Sequence, residues 1–167
     1  IVVITGDLFD GSAPVQPDML SPLDHLAAPV YFSMGNHELY EGYDTVCRVL
    51  REISVKPLQN DIVETHGLQI IGVDYPHDQN RRYISGLEKL SPDTSKPIIL
   101  LYHQPAGLND AAAAGVDLFL SGHTHHGQIF PFHFFVRMAY TYGFGEYTYK
   151  KMQIYTSPGT GTWGPPM

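Results

Sequence analysis

The sequence has a single cysteine and few cationic residues. Cys47 is alone among 167 residues, which excludes an internal disulfide and a metal cluster built on several thiolates. Only 10 residues are Lys or Arg and the formal net charge is −7, so binding to a nucleic-acid backbone through a basic face is not expected. No apolar run approaches the roughly 18 residues of a membrane-spanning helix, and no signal peptide is visible.

The rest of the composition is that of one globular domain with a sizeable core. Hydrophobic residues make up 43% and charged residues 16% of the chain, which excludes an intrinsically disordered protein. The sequence starts without Met inside the apolar run 1–5 and stops directly after Pro165-Pro166. Because native chains rarely start within a buried central strand, we expect residues 1–167 to be one N-terminally incomplete domain.

Apolar runs of strand length alternate with amphipathic segments of helical period. The predicted strands, which include a hairpin that turns at 66–67, cover residues 1–5, 29–33, 61–73, 97–102 and 116–120. The predicted helices cover residues 17–28, 43–53 and 83–90, and a further helix contains 111–114. This alternation predicts an α/β fold built of layers.

Four of the predicted strands end in polar turns, at Asp7, Asn36, His103 and His123. Sites in open α/β sheets gather at the carboxyl ends of strands. The Asp7 carboxylate can bridge two cations, and imidazole is the commonest protein ligand of first-row transition metals. Taken singly, each residue is also typical of a turn, a helix N-cap or a buried histidine. Together with His125 they predict an oxygen and nitrogen ligand field suited to Mn, Fe, Zn or Ni.

The four turns also share their motif order with a known family. They read Gly6-Asp7-x-x-Asp10, Gly35-Asn36-His37-Glu38, His103 after a strand, and Gly122-His123-x-His125. This order resembles that of the calcineurin-like metallophosphoesterases over positions 6–125, most of the chain. The resemblance implies a four-layer α-β-β-α sandwich of mixed sheets, with a dinuclear metal centre between the strand ends.

The resemblance assigns ligands to two divalent transition metal ions. Asp7 would bridge both ions. One site would be completed by Asn36, His103 and His123, and the other ion would be bound by His125. The family also opens with an Asp-x-His motif upstream of its Gly-Asp motif, and none precedes Gly6 here. One of the two metal sites is therefore expected to be incomplete in this chain, and the chain alone is not expected to be fully active.

The resemblance further implies a metal-dependent phosphohydrolase that cleaves phosphomono- or diesters by attack of a metal-bridging hydroxide. His37 would lie beside the scissile phosphate, Glu38 would orient His37, and Asp10 would support the loop from behind the ligands. Because the imidazole ligands must be deprotonated, activity is expected to fall below roughly pH 6. The alternative is a binding or scaffold module that has the fold but no hydrolytic activity.

Half of the Phe, Trp and Tyr residues lie between positions 130 and 155. The alternation at 147–152 predicts that they pack the second sheet. The other interpretation is an aromatic lip for an apolar or lipid-linked phosphoester, or a contact with a membrane interface. The loop 156–161 resembles the closing loop of membrane-anchored and exported bacterial relatives, which favours an N-terminal anchor over a cytoplasmic protein. His126 is expected at the rim of the pocket.

Overall fold

The computed structural model describes residues 1–10, 15–76 and 84–161, which form two β-sheets and their flanking helices. The strands are β1 Val2–Ile4, β2 Val30–Phe32, β3 Val55–Pro57, β4 Asp61–Thr65, β5 Leu68–Val73, β6 Ile98–Tyr102, β7 Leu118–Ser121, β8 Gly145–Tyr149 and β9 Met152–Thr156. The α-helices are α1 Ser21–Asp24, α2 His37–Glu41, α3 Tyr43–Glu52, α4 Leu108–Ala113 and α5 Phe132–Ala139. Short 3-10 turns lie at Pro17–Leu20, Leu87–Lys89 and His125–Gly127.

The smaller sheet has the order β1-β2-β3, and its strands are all parallel. The first two strands consist of Val, Ile and aromatic residues, which favour the extended backbone. The strand predicted over 1–5 is present as β1, which among the described strands lies at the edge of this sheet and is half-buried. An apolar run predicts a strand, but it does not report how many neighbours that strand has.

The larger sheet has the order β4-β5-β6-β7-β9-β8. Its four middle strands are parallel, and the strand at each edge pairs antiparallel with its neighbour. The β4–β5 hairpin turns at His66 and Gly67, which have φ values of 50° and 78°, as a type I′ turn requires. The hairpin predicted over 61–73 is therefore confirmed.

Three apolar clusters separate four layers. One cluster lies between α3 and the smaller sheet, where Val46 and Leu50 pack with Phe32. The second lies between the two sheets, where Tyr31 packs with Leu101, and the third lies between the larger sheet and α4. Successive residues of a strand face opposite sides, so each inner strand contributes to two clusters. The molecule is the α-β-β-α sandwich that the family resemblance implied, with one mixed and one parallel sheet.

The helices agree with the sequence prediction in part. α3 is amphipathic, with Val46, Val49 and Leu50 buried at helical spacing, and it confirms the helix predicted over 43–53. The helix predicted over 17–28 is reduced to a 3-10 turn followed by α1, because Pro22 in the first turn of α1 has no N–H to continue an earlier helix. None of the helices in the described ranges has the length and apolarity needed to cross a bilayer.

Three further segments differ from the prediction. Of the helix predicted over 83–90, residue 83 lies outside the described ranges and the rest forms only the turn Leu87–Lys89. Gly86 precedes that turn with a φ of 102°, which is incompatible with a helix. Strand β3 was not predicted because it is short and ends in a proline. Helix α5 was not predicted because its aromatic residues are typical of strands.

Candidate metal centre

The four predicted strand ends meet at one edge of the sandwich. β1 and β2 of the smaller sheet lead into Asp7 and Asn36, whereas β6 and β7 of the larger sheet lead into His103 and His123. The two strands of each pair are parallel, so their carboxyl ends lie together. The ligand candidates are therefore contributed equally by two sheets that pack face to face.

Four side-chain atoms converge where these strand ends meet. His103 Nε2 lies 3.0 Å from Asp7 Oδ2 and 3.1 Å from Asn36 Oδ1. His123 Nδ1 lies 2.9 Å from Asn36 Oδ1 and 3.1 Å from His103 Nε2. The ligand atoms of Asp7, His103 and His123 all lie within 4.8 Å of one another. We call these four residues the inner cluster.

One backbone contact determines which nitrogen of His103 faces the inner cluster. His103 Nδ1 lies 2.7 Å from the carbonyl oxygen of Thr5, and because a carbonyl only accepts, Nδ1 carries the proton. In the neutral ring, Nε2 then directs a lone pair at the oxygens of Asp7 and Asn36, which also bear lone pairs on that side. Converging lone pairs of oxygen and nitrogen are the arrangement that a divalent transition metal ion requires. The inner cluster fits such an ion.

The charges of the inner cluster favour the same ligand. Burial disfavours the charged form of Asp7, but its contacts with His103 and the His37 N–H outweigh that effect and hold its pKa below the usual range. Burial, together with the nearby His103, lowers the pKa of His123 to about 4. At neutral pH Asp7 is therefore an anion and His123 is neutral, the forms in which both groups bind metals.

His125 lines the same cavity but stands apart from the inner cluster. The cavity has a volume of about 530 Å³ and is bounded by β1, Asp7, His37, His125 and the loop 157–161. His125 Nδ1 is buried and has no hydrogen-bond partner in the described part of the chain. Burial lowers the pKa of His125, so the ring is held neutral. A buried polar atom without a partner is rare in native proteins, and a second cation would provide one.

Glu38 joins the loops of Asp7 and Asn36 through their backbone. Its side chain is fully buried, at 0% exposure. The carboxylate accepts hydrogen bonds of 2.7–3.4 Å from the N–H groups of Asp7, Leu8, Phe9 and Gly35. The prediction that Glu38 orients His37 is therefore wrong, because the carboxylate is used by the main chain. These bonds link positions up to 31 residues apart, so no local sequence pattern reports them.

Asp10 performs the task predicted for Glu38. His37 Nδ1 lies 3.0 Å from the Asp10 carbonyl oxygen, which makes Nδ1 the protonated nitrogen. His37 Nε2 then faces the cavity, 4.0 Å from Asp7 Oδ2. The backbone N–H of His37 also donates to Asp7 Oδ1 at 2.9 Å. Asp10 thus orients the catalytic candidate, whereas Glu38 supports the loops.

Two glycines allow the loops of Asp7 and Asn36 to touch. A Cβ atom on Gly35 would collide with the Asp7 carboxylate. A Cβ atom on Gly6 would lie 2.5 Å from the backbone nitrogen of Gly35, and Gly6 has a φ of 89°, which only glycine adopts readily. The glycines of both motifs therefore position Asp7.

Three of the ligand candidates have a strained backbone. Asp7, His123 and His125 have φ values of 53°, 71° and 48°. This left-handed region costs residues with side chains about 1–3 kcal/mol each and persists only where the surrounding structure enforces it. Strain at three residues of one cavity is what a functional site produces.

Two tyrosines that the sequence analysis missed pack against the histidine ligands. Tyr75 is buried, and its ring centroid lies 5.9 Å from that of His103 and 5.8 Å from that of His123. The Tyr140 ring lies 5.9 Å from His123, and its hydroxyl accepts a 3.0 Å hydrogen bond from Gln104 Nε2. Tyr75 follows the end of β5, which neighbours β6, so its position after a strand was a usable signal.

His126 is half-buried next to the ligand turn. Its ring lies against Phe144, with centroids 3.9 Å apart. The structure places this ring against an aromatic residue and outside the inner cluster.

Comparisons with known proteins agree with the geometry. The sequence profile of the calcineurin-like phosphoesterase family matches residues 1–127. A metallophosphoesterase from Helicobacter pylori strain J99 is 37% identical over 174 residues, covering 100% of this chain and 47% of that protein. A Bos taurus protein named as a transmembrane protein with a metallophosphoesterase domain is 34% identical over 191 residues, covering 100% of this chain and 42% of that protein. The chain thus spans less than half the length of these relatives.

Two further similarities extend this result. A metallophosphoesterase from Aquifex aeolicus is 35% identical over 177 residues, and the chain covers 67% of it. A solved structure from Staphylococcus aureus, described as a candidate 5′-nucleotidase in complex with alpha-ketoglutarate, matches with a TM-score of 0.55 at 15% identity. That match covers 87% of this chain and 36% of the other, and it supports the fold alone. Since the family profile includes every ligand candidate from Asp7 to His125, the chain belongs to the calcineurin-like phosphoesterase family.

Proposed function

We propose that this chain is the hydrolytic domain of a metal-dependent phosphohydrolase that cleaves phosphomono- or diesters. The observation that supports this most is the inner cluster, in which four ligand atoms from two sheets converge beside an open cavity. A scaffold without hydrolytic activity has no need for a carboxylate, an amide and two imidazoles aimed at one point. Their cost in burial and backbone strain is consistent with metal-assisted hydrolysis.

The proposed centre holds two divalent transition metal ions. One ion would be bound by the inner cluster. The second would share Asp7 and be bound by His125, which leaves most of its coordination positions to other ligands. The donor set has oxygen and nitrogen but no sulfur, which suits Mn, Fe, Zn or Ni. When bound, such ions polarise phosphoryl oxygens and make water nucleophilic at neutral pH.

His37 is the proposed catalytic residue of the chain. Its Nδ1–H is used by the Asp10 carbonyl, so only Nε2 is available to a substrate in the cavity. When the ring is protonated, Nε2–H donates to a phosphoryl oxygen or to the leaving oxygen. Glu38 maintains this geometry from a distance, because it binds the backbone of the loop that carries Asp7.

The proposed substrate is a small or lipid-linked phosphoester, and the proposed location is at a membrane. The transmembrane name of the Bos taurus relative favours a membrane-anchored protein. Exposed aromatic side chains lie at 130–135, directly after the turn that carries His125. An apolar surface beside a phosphate-binding site suits an ester that carries an apolar group.

The test is metal analysis of the full-length protein together with turnover of p-nitrophenyl phosphate and bis(p-nitrophenyl) phosphate. Asp7→Ala and His123→Ala should each reduce bound metal and lower turnover by roughly 10³-fold, about 4 kcal/mol of transition-state stabilisation. Asp18→Ala is the control, since Asp18 is exposed in the 3-10 turn at Pro17–Leu20, outside the cavity lining. Unchanged metal content and rate in Asp7→Ala would overturn the proposal and leave the binding module as the better interpretation.

A further inference from the structure

The exposed large apolar side chains are concentrated in one segment of the described chain. Phe130 is 77% exposed and Met138 is 84% exposed. Between them lie three more exposed aromatic residues, Phe132, Phe134 and Phe135. We call these five residues the aromatic face. Soluble proteins rarely expose contiguous apolar patches of this kind unless the patch binds something.

The aromatic face protrudes because α5 touches the body of the protein along a narrow stripe. Within α5 only His133 and Val136 are half-buried, and the following residue, Tyr140, continues the stripe. All other residues of α5 are exposed. With 3.6 residues per turn, the exposed positions cover more than half of the helix circumference. A flat protein surface would cover only part of the exposed circumference of α5, whereas a fluid lipid phase can surround it.

Both ends of α5 pack against residues of the candidate metal centre. At its N-terminal end, the backbone of His133 lies so close to Gly127 that a Cβ atom on that glycine would collide with it, and Gly127 ends the turn that begins at His125. At its C-terminal end, Tyr140 packs on the ring of His123. The aromatic face therefore has a fixed position relative to the two ligand histidines.

The charge distribution around α5 indicates which partner suits it. The chain has a net charge of −7, yet no Asp or Glu occurs between Asp117 and Glu146. The only Lys or Arg in that stretch is Arg137, which is exposed on α5 next to Met138. The aromatic face has no carboxylates in its stretch of the chain and has the cation Arg137 beside it, so it fits the boundary between acyl chains and anionic headgroups.

We propose that the aromatic face inserts into the surface of a phospholipid bilayer and holds the opening of the metal centre against the membrane. The insertion itself does not depend on hydrolysis; only its benefit, access to a lipid-linked ester, rests on the proposed function. Phe and Met side chains enter the headgroup boundary, and Arg137 remains at the level of the phosphates.

The test places a fluorescent reporter on the aromatic face of the full-length protein. Met138→Cys is labelled with an environment-sensitive fluorophore and mixed with vesicles of phosphatidylcholine and phosphatidylglycerol. Cys47 is buried and so does not compete for the label. The matched control is Met19→Cys, because Met19 is also exposed, at 55%, and lies in the helical layer over the smaller sheet. A label fixed at one site reports local insertion even if another segment anchors the protein.

The emission of the label at position 138 should shift to the blue when vesicles are added, and a quencher attached to the acyl chains should reduce it. The label at position 19 should show neither effect. Adding Phe134→Ser and Phe135→Ser should raise the lipid concentration at half-maximal shift by at least about ten-fold, because two rings that would insert into the bilayer are lost.

Three results would overturn the inference. The first is an absence of any vesicle-dependent shift at position 138. The second is an emission that is already blue-shifted in buffer and unchanged by lipid, which would show that protein covers the face. The third is an equal shift at position 19, which would show nonspecific adsorption. None of these results bears on hydrolysis, so failure here and failure of the proposed phosphohydrolase are distinguishable.

Discussion

The two sides of the candidate metal centre differ in how firmly their candidate ligand atoms are held. In the inner cluster, His103 is oriented by Thr5 and Asp7 by the N–H of His37, and both loops are joined by Glu38. His125 instead presents to an open cavity a buried nitrogen that has no hydrogen-bond partner among the described residues. The inner side is therefore organised before an ion arrives, whereas the side of His125 depends on what else enters the cavity. Motif order alone does not distinguish these two situations.

The largest effect on this comparison is expected from Glu38→Ala. The substitution leaves four backbone N–H groups without their acceptor in a buried site, and we expect the free energy of unfolding to fall by about 4 kcal/mol or more. Urea unfolding of the metal-free protein measures it. Glu52→Ala is the control, because Glu52 is exposed and forms only a 3.2 Å surface pair with Arg48, which contributes about 0.5 kcal/mol or less. Equal losses in the two variants would contradict the role assigned to Glu38.

Acid should weaken the inner cluster through His123. Its pKa is lowered to about 4 in the folded protein against about 6.5 when unfolded, so the unfolded chain binds the proton first. Stability of the metal-free protein should therefore decrease as pH falls from about 6.5 to 4, by about 3 kcal/mol in total. Urea unfolding across this range measures the slope, which His123→Gln should reduce. His25→Gln, at an exposed histidine, should leave the slope unchanged.

The contact between the two smaller-sheet loops is tested by Gly35→Ala. The added methyl group collides with the Asp7 carboxylate, so the shared ligand must move. We expect metal affinity to fall by at least about 100-fold, about 2.7 kcal/mol. Calorimetric metal titration measures this loss. Gly161→Ala is the control, since Gly161 lies in the loop that bounds the same cavity and a Cβ atom there would have no described atom within 4 Å. A comparable loss in that variant would contradict the steric explanation.

The smallest effect on stability is expected from a substitution on the side of His125. His125→Ala removes a buried nitrogen that has no hydrogen-bond partner within 1–10, 15–76 and 84–161, so the metal-free protein should become more stable, by about 1 kcal/mol. The same variant should lose one equivalent of bound metal. Thermal unfolding with chelator and metal analysis without it measure the two effects. A clear loss of metal-free stability would show that His125 is already held in place, and would remove the contrast between the two sides.

The ligand candidates could be predicted because each one follows a strand that its own sequence indicates. Parallel strands bring such positions to one edge, so Asp7, Asn36, His103 and His123 were found without knowledge of their distances. The roles of Glu38 and Asp10 could not be predicted, since they depend on hydrogen bonds between loops about 30 residues apart. Asp10 moreover contacts His37 through its backbone carbonyl oxygen, a group that every residue has, so the residue type at position 10 does not report the contact.

The fold shows a similar division. The apolar spacing of α3 and the turn at His66-Gly67 are local signals, and both predictions are confirmed. Helix α5 has the composition of a strand, and Phe130, Phe132 and Phe134 even alternate with other residues. Its helical backbone therefore goes against its propensity, and the contacts that accompany it, of His133 with Gly127 and of Tyr140 with His123, come from outside the helix.

The 2.7 Å hydrogen bond between Thr5 and His103 has a mechanical consequence. This bond links the two sheets, since Thr5 follows β1 of the smaller sheet and His103 follows β6 of the larger sheet. An ion bound by ligands from both sheets would add a second link and resist shear of one sheet over the other. Removal of the ion by a chelator should then lower the resistance of the two sheets to sliding over each other, while the hydrogen bonds within each sheet are retained.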